Sequence, residues 1–196
     1  MLGLKLPTDP RWVNIVEKNI NEILTDHAYC EQKAASNAIS VIVKFPEYPD
    51  VVDAMTEIVQ EEMEHFSLVH EKIKERGMEL GRERKDEYVG DLMAYLKSKY
   101  PGGSKDSQFV SRMLFAAMIE ARSCERFRIL SEEIEDADLA EFYRSLMESE
   151  ARHYTTFLGF ARKYGGDVDV DERWKDFLEF EAGLMEKYGK SETMHG

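Results

Sequence analysis

The chain has 196 residues, with 39 Asp and Glu against 26 Lys and Arg, a formal net charge of −13. Hydrophobic residues make up 43% and charged residues 33%, a globular composition that excludes disorder throughout. The longest unbroken apolar run, Met113 to Ile119, is seven residues, against the roughly 18 that a membrane span needs.

Asp9, Arg11, Glu17 and Lys18 interrupt the apolar positions near the start of the chain, so no signal-peptide core is expected. Two cysteines, Cys30 and Cys124, point to a reduced, cytoplasmic protein rather than a disulfide scaffold. The acidity argues, taken alone, against nucleic acid as partner.

The five prolines, Pro7, Pro10, Pro46, Pro49 and Pro101, all fall between helical patterns, because a proline inside a helix costs about 3 kcal/mol. The first helix is expected from Asp9 as N-cap, with Pro10 in its first turn, to about Lys44. Its apolar stripe reads Val13, Ile20, Leu24, His27, Glu31, Ala34, Ala38, Val41, with a His and a Glu inside the seam. After Phe45-Pro46-Glu47-Tyr48-Pro49, a second helix runs from about Asp50 to Arg76 and stops at Gly77. Its stripe is Val51, Met55, Ile58, Glu62, His65, Val69, Ile73, again with two polar members.

Residues 78–104 read as a crossover connection containing a short helix, about Asp86 to Lys99, with Val89, Leu92, Met93 and Leu96 inward. A third long helix, about Asp106 to Ile134, carries Met113, Ala116, Glu120, Cys124, Phe127 and Leu130 on one face. The fourth, about Leu139 to Tyr164, carries Leu139, Tyr143, Leu146, Glu150, His153 and Phe157 and ends at Gly165-Gly166. A closing helix, about Asp171 to Tyr188, presents Trp174, Phe177, Leu178 and Leu184. No period-two strand pattern occurs. The expected fold is all-α, a four-helix bundle with a crossover and flanking helices, formed as a single domain over residues 1–196.

A weak duplication runs through this pattern. Each half has a helix with one Glu in its seam, a tight break, and a helix with Glu-x-x-His in its seam: Glu31 with Glu62 and His65, then Glu120 with Glu150 and His153. Glu-x-x-His alone is weak, since 26 Glu and five His give such pairs by chance. Position strengthens these two. The midpoint of 31 and 62 falls in the Pro46-Glu47 turn, and that of 120 and 150 falls on Glu135. In antiparallel helices, equal distance from the loop means equal height, here about 15 residues at about 1.5 Å each.

Six side chains are thereby expected on one level of the core. Four carboxylates in an apolar interior suffer desolvation and mutual repulsion, which two divalent cations would cancel. Carboxylate oxygen with imidazole nitrogen suits iron or manganese, and one Glu from each of two helices plus a Glu-x-x-His from each of two others marks ferritin-like di-metal proteins. Taken singly, each Glu is read first as a surface residue and each His as a core histidine; the six in phase favour the metal. Glu125, the rival to Glu120, lies about 140° round the helix and faces away from the seam. His27, one turn before Glu31, reads by default as a core or surface residue and otherwise as a partner of the ligand. Cys30 and Cys124 read as small buried hydrophobes, and Glu192 with His195 as a solvated tail.

Tyr29-Cys30-Glu31-Gln32-Lys33-Ala34-Ala35, Glu61-Glu62-Met63-Glu64-His65-Phe66, Ile119-Glu120-Ala121-Arg122-Ser123-Cys124-Glu125-Arg126 and Ser149-Glu150-Ala151-Arg152-His153-Tyr154 together resemble the tRNA 2-methylthio-isopentenyl-adenosine hydroxylases, the MiaE-type family. The similarity spans nearly the whole chain, and the run Glu120 to Arg126 is its most particular part. The resemblance implies an O2-dependent di-iron monooxygenase that hydroxylates the isopentenyl chain of a modified adenosine in tRNA. It assigns Glu31, Glu62, His65, Glu120, Glu150 and His153 as ligands of two irons.

No nucleotide-binding glycine loop or cysteine cluster is present, so electrons are expected from a separate ferredoxin-like or reductase partner. The alternatives are a di-iron oxidase or oxygenase acting on a small apolar substrate, and iron storage or detoxification. A rubrerythrin-type function is disfavoured, because two cysteines cannot build a four-cysteine iron site. For tRNA, two local basic segments offset the acidity. Residues 72–85 hold Lys72, Lys74, Arg76, Arg82, Arg84 and Lys85 against three Glu, and residues 97–105 hold Lys97, Lys99 and Lys105 with no acid. Lys97, Lys99 and Lys105 are the candidate tRNA contacts.

Overall fold

A computed structural model describes residues 2–189 and 193–195. All regular structure among them is helical: α1 (Val13–Lys18), α2 (Ile20–Lys44), α3 (Pro49–Glu75), α4 (Glu87–Lys99), α5 (Lys105–Glu133), α6 (Ala137–Lys163) and α7 (Val170–Tyr188), preceded by a 3-10 turn at Pro10–Trp12. The chain divides into two compact units, one formed by residues 18–85 with 193–194, the other by the N-terminal segment to residue 17, residues from 86 to the end of α7, and His195.

In the first unit α2 and α3 form an antiparallel hairpin. Pro49 opens α3, where its missing N–H costs nothing. Gly77, at φ +68°, closes it with Met78 N donating to the Ile73 carbonyl at 3.0 Å and Gly77 N to that of Lys74 at 2.9 Å, the αL stop that glycine permits. The buried face of α3 is Val51, Met55, Ile58, Glu62, His65, Val69 and Ile73, the seven residues of the expected stripe.

On α2 the buried set is Ile23, Leu24, Thr25, Asp26, His27, Ala28, Glu31, Ala35, Ala38 and Val41, so Ala35 and not Ala34 faces inward. Thr25 and Asp26 are buried because chain returns over them. Gly81 N donates to Thr25 Oγ1 at 3.2 Å, the Tyr29 hydroxyl donates to the Gly81 carbonyl at 3.1 Å, and Met194 N donates to Asp26 Oδ2 at 2.7 Å. A side chain at position 81 would press on Thr25, its Cβ 3.2 Å from Thr25 Cγ2.

The single helix expected from Asp9 to Lys44 is interrupted. Asn19, at φ −135° and ψ 36°, leaves the helical region and separates α1 from α2. Apolar spacing of three, four or seven continues across the break, which is why the sequence reads as unbroken.

In the second unit α5 and α6 form the hairpin, and α4 and α7 pack on each other and on α5. Aspartate and serine caps start these helices: Asp86 accepts from Val89 N, Ser104 from Ser107 N, Asp136 from Asp138 N and Leu139 N, and Asp169 from Glu172 N. α5 is buried nearly all round, 19 of its 29 residues, so it is the central helix of this unit and not the one-faced helix expected. On α4 the buried residues are Tyr88, Leu92 and Leu96; Tyr88 turns inward where Val89 and Met93 were expected, because its hydroxyl has a buried acceptor in Glu181, 2.9 Å away.

Candidate functional site

Each unit brings together one of the two expected triplets. In the α2–α3 hairpin, Glu31, Glu62 and His65 are 4%, 0% and 8% exposed, and each offers a ligand atom within 4.8 Å of the others. His65 Nδ1 lies 3.5 Å from Glu62 Oε2 and 3.9 Å from Glu31 Oε2. In the α5–α6 hairpin, Glu120, Glu150 and His153 are likewise buried, again with ligand atoms within 4.8 Å of one another. The i, i+3 spacing places Glu62 with His65, and Glu150 with His153, on one face of their helices.

This donor chemistry fits a metal: each triplet holds two carboxylates and an imidazole in an apolar surround, two charges that a divalent cation would balance. Burial raises the Glu31 carboxyl, but His27, together with His65 and Glu62, outweighs it and holds the group well below the usual carboxylate range. His27 is fully buried with its Nε2 2.5 Å from Glu31 Oε1; it is a core histidine, as its default reading allows, and it also contacts Glu31.

A model of the family described as tRNA-(MS[2]IO[6]A)-hydroxylase (MiaE) matches residues 2–196. The chain belongs to this family. As a MiaE-family protein it is 35% identical to the tRNA 2-(methylsulfanyl)-N(6)-isopentenyladenosine(37) hydroxylase of Pseudomonas putida, over 85% of this chain and 78% of that one. It is 27% identical to the protein of the same name from Salmonella typhimurium, over 93% of this chain and 83% of that one. Among solved structures it resembles a protein with aldehyde deformylating oxygenase activity from Synechococcus, at 30% identity and a TM-score of 0.86, over 98% of this chain and 95% of that one. The fold of this MiaE-family chain is the all-α, ferritin-like one.

The run from Glu120 to Arg126 is divided by helix geometry. Glu120 takes its place with Glu150 and His153, while Arg122 and Glu125, about 200° and 140° away round α5, enter a second buried cluster. Arg122 donates to Glu181 Oε1 through Nε at 2.9 Å and Nη2 at 2.6 Å, to Glu125 Oε2 at 2.9 Å and to the Leu6 carbonyl at 3.0 Å. Thr8 donates to Glu125 from its N at 2.9 Å and its hydroxyl at 2.6 Å.

Arg126 lies 3.9 Å over the Trp12 ring, and burial followed by neighbouring Arg122 pushes its guanidinium below the ordinary value. Burial and then Glu181 push Tyr88 up. Glu125 thus faces away from Glu120, as expected, but into a charged core that the sequence did not reveal; the signal available was an i, i+3 Arg–Glu pair inside a helix apolar on every side.

The expectation of a solvated tail is corrected at His195. Glu192 lies outside the described residues, and His195 is buried, 3.0 Å from Ser123 Oγ, 3.4 Å from Asp86 Oδ2, and stacked on Tyr88 with centroids 6.3 Å apart. Its ring has partners on α5 and at the start of α4, so it leaves water. Cys124 is buried and Cys30 half-buried. Burial, then the Glu150 carboxylate, push the Cys124 thiol up to about 11.

Of the basic candidates, Lys97 and Lys99 are exposed in the last turn of α4 and Lys105 is exposed at the start of α5. Lys99 pairs with Asp176 at 3.2 Å and sits 5.9 Å over the Tyr95 ring. In the other unit, Lys74, Arg82 and Lys85 are exposed, Lys72 pairs with Glu75 at 3.1 Å, and Arg84 pairs with Glu22 at 3.4 Å. No helix among the described residues is long and apolar enough to cross a membrane.

Proposed function

We propose that this chain is a cytoplasmic, O2-dependent di-iron monooxygenase that hydroxylates the isopentenyl group of 2-methylthio-isopentenyl-adenosine in tRNA. The observation that carries this reading is the match of the MiaE family over residues 2–196, in a chain whose six expected donors are all buried. Glu31, Glu62, His65, Glu120, Glu150 and His153 would hold the two irons, the two hairpins serving one domain. The loop-centred register of Glu31 with Glu62, and of Glu120 with Glu150, supports each pair lying at one level of its own hairpin.

Two irons held there would supply the reduction of O2 and the oxidation of a C–H bond. The protein's own contribution is to fix the donors before metal arrives and to exclude water. Each turnover consumes O2, two electrons and two protons, yielding an alcohol and water. The electrons come from a separate reductase or ferredoxin-like protein. Lys97, Lys99 and Lys105 are proposed to meet the tRNA phosphates. Reduced, iron-loaded protein incubated with modified tRNA and O2 should yield a nucleoside with one added oxygen on the isopentenyl group, read by mass spectrometry; its absence defeats the reading.

The likeness to the Synechococcus protein favours a second reading, an oxygenase of a small apolar molecule. Supplying an aldehyde in place of tRNA, with the same iron and reductant, separates the two by product.

A further inference from the structure

The contact between His27 and Glu31 bears on how the proposed metal centre is built. Both residues are on α2, one turn apart, with exposures of 0% and 4%. His27 Nε2 is 2.5 Å from Glu31 Oε1, and Oε2 of the same carboxylate points toward His65 Nδ1, 3.9 Å away. One oxygen is therefore engaged by an imidazole from its own helix, and the other faces the residues of α3.

We propose that His27 is a positioning residue that captures Glu31 Oε1, so that Glu31 presents Oε2 alone to a metal and acts as a one-oxygen ligand. A carboxylate on a flexible stem can chelate, bridge or bind through one oxygen; a buried donor that occupies a lone pair of one oxygen favours the last of these. The bond is set by the helix, since i and i+4 side chains stack one above the other. The place one turn before Glu120 is taken by Ala116, whose methyl group donates nothing. The internal duplication is thus broken at this position.

The inference rests on the di-metal reading and is tested on the full-length apo-protein with Co2+ as probe, read by stoichiometry, dissociation constants and the visible absorption of bound Co2+. In the wild type two Co2+ are expected per chain; no binding at all overturns the di-metal reading and this inference with it. In His27→Leu one of the two sites should weaken by roughly 10- to 100-fold with an altered absorption band, while His27→Gln, which keeps a donor within reach of Glu31, should recover most of the affinity and the wild-type band. Unchanged affinities and spectrum in His27→Leu, with wild-type binding intact, overturn the positioning role alone. Should leucine not be accommodated in the fold, His27→Asn, polar but shorter than Gln, makes the same comparison. A Glu31→Ala background completes the test, because there the His27→Leu change should alter nothing further in Co2+ binding, and any additional weakening counts against the proposal.

Discussion

Arg122 Nη2 donates to Glu181 Oε1 at 2.6 Å with both side chains fully out of water, and the same guanidinium reaches Glu125 at 2.9 Å. Removing the guanidinium of such a cluster leaves the buried acidic partners without their counter-charge, which costs about 3–5 kcal/mol. Arg122→Met should lower the unfolding temperature by roughly 10 °C in a calorimetric scan. Adding Glu125→Gln and Glu181→Gln should restore much of it, and a single substitution without effect would mean that the cluster is not desolvated.

Glu120 and Glu150 offer buried carboxylate oxygens within 4.8 Å of each other, a like-charge pair in an apolar surround. Glu150→Gln is expected to reduce iron from two per chain to one or none by metal analysis. In the metal-free protein the same change should raise the unfolding temperature by a few degrees, since a repulsion is removed. A fall in both quantities would show the carboxylate to be structural rather than a ligand.

Lys99 is held by Asp176 at 3.2 Å, while Lys97 and Lys105 lie exposed at the ends of α4 and α5. Reversing all three to Glu should weaken tRNA binding and reduce the slope of log affinity against log salt by roughly one for each phosphate no longer neutralised. Asp176→Asn should tighten binding, because it unmasks Lys99. Affinity unchanged in both variants would move the tRNA surface elsewhere.

The Cys124 thiol, pushed up to about 11 by burial and then by Glu150, is almost wholly protonated at pH 8. Iodoacetamide should therefore label half-buried Cys30 first and reach Cys124 only on unfolding. Because the folded state holds this proton more tightly than the unfolded chain, the associated stability is complete below the unfolded thiol's value of about 8.5 and is lost as pH rises toward 11. Peptide mapping after labelling at pH 8 and again at pH 10.5 checks both statements.

The α3 stripe was fully legible because apolar spacing and burial coincide there over seven residues of one face. Glu120 and Glu150 were legible for the same reason, each being polar in an otherwise apolar seam. What escaped was charge buried by partners distant in sequence: Glu181 lies 59 residues from Arg122, and Thr8 lies 117 from Glu125, separations at which no helical period connects them. The burial of His195 was hidden likewise, its neighbours Ser123 and Asp86 being far from it along the chain. The break at Asn19 escaped because a change of backbone angle at one residue leaves the apolar spacing intact.

On α3 the proposed ligands Glu62 and His65 occupy the same buried stripe as Val51, Met55, Ile58, Val69 and Ile73. One residue inserted between Pro49 and Glu62 would turn everything beyond it by about 100°, exposing the apolar side chains and removing both donors from their place together. The Phe45–Tyr48 loop can change length without that consequence. Descendants of this chain are therefore free to vary in the turn but bound to keep the residue count of the helix, and foldability and metal capacity would be lost in the same mutational step.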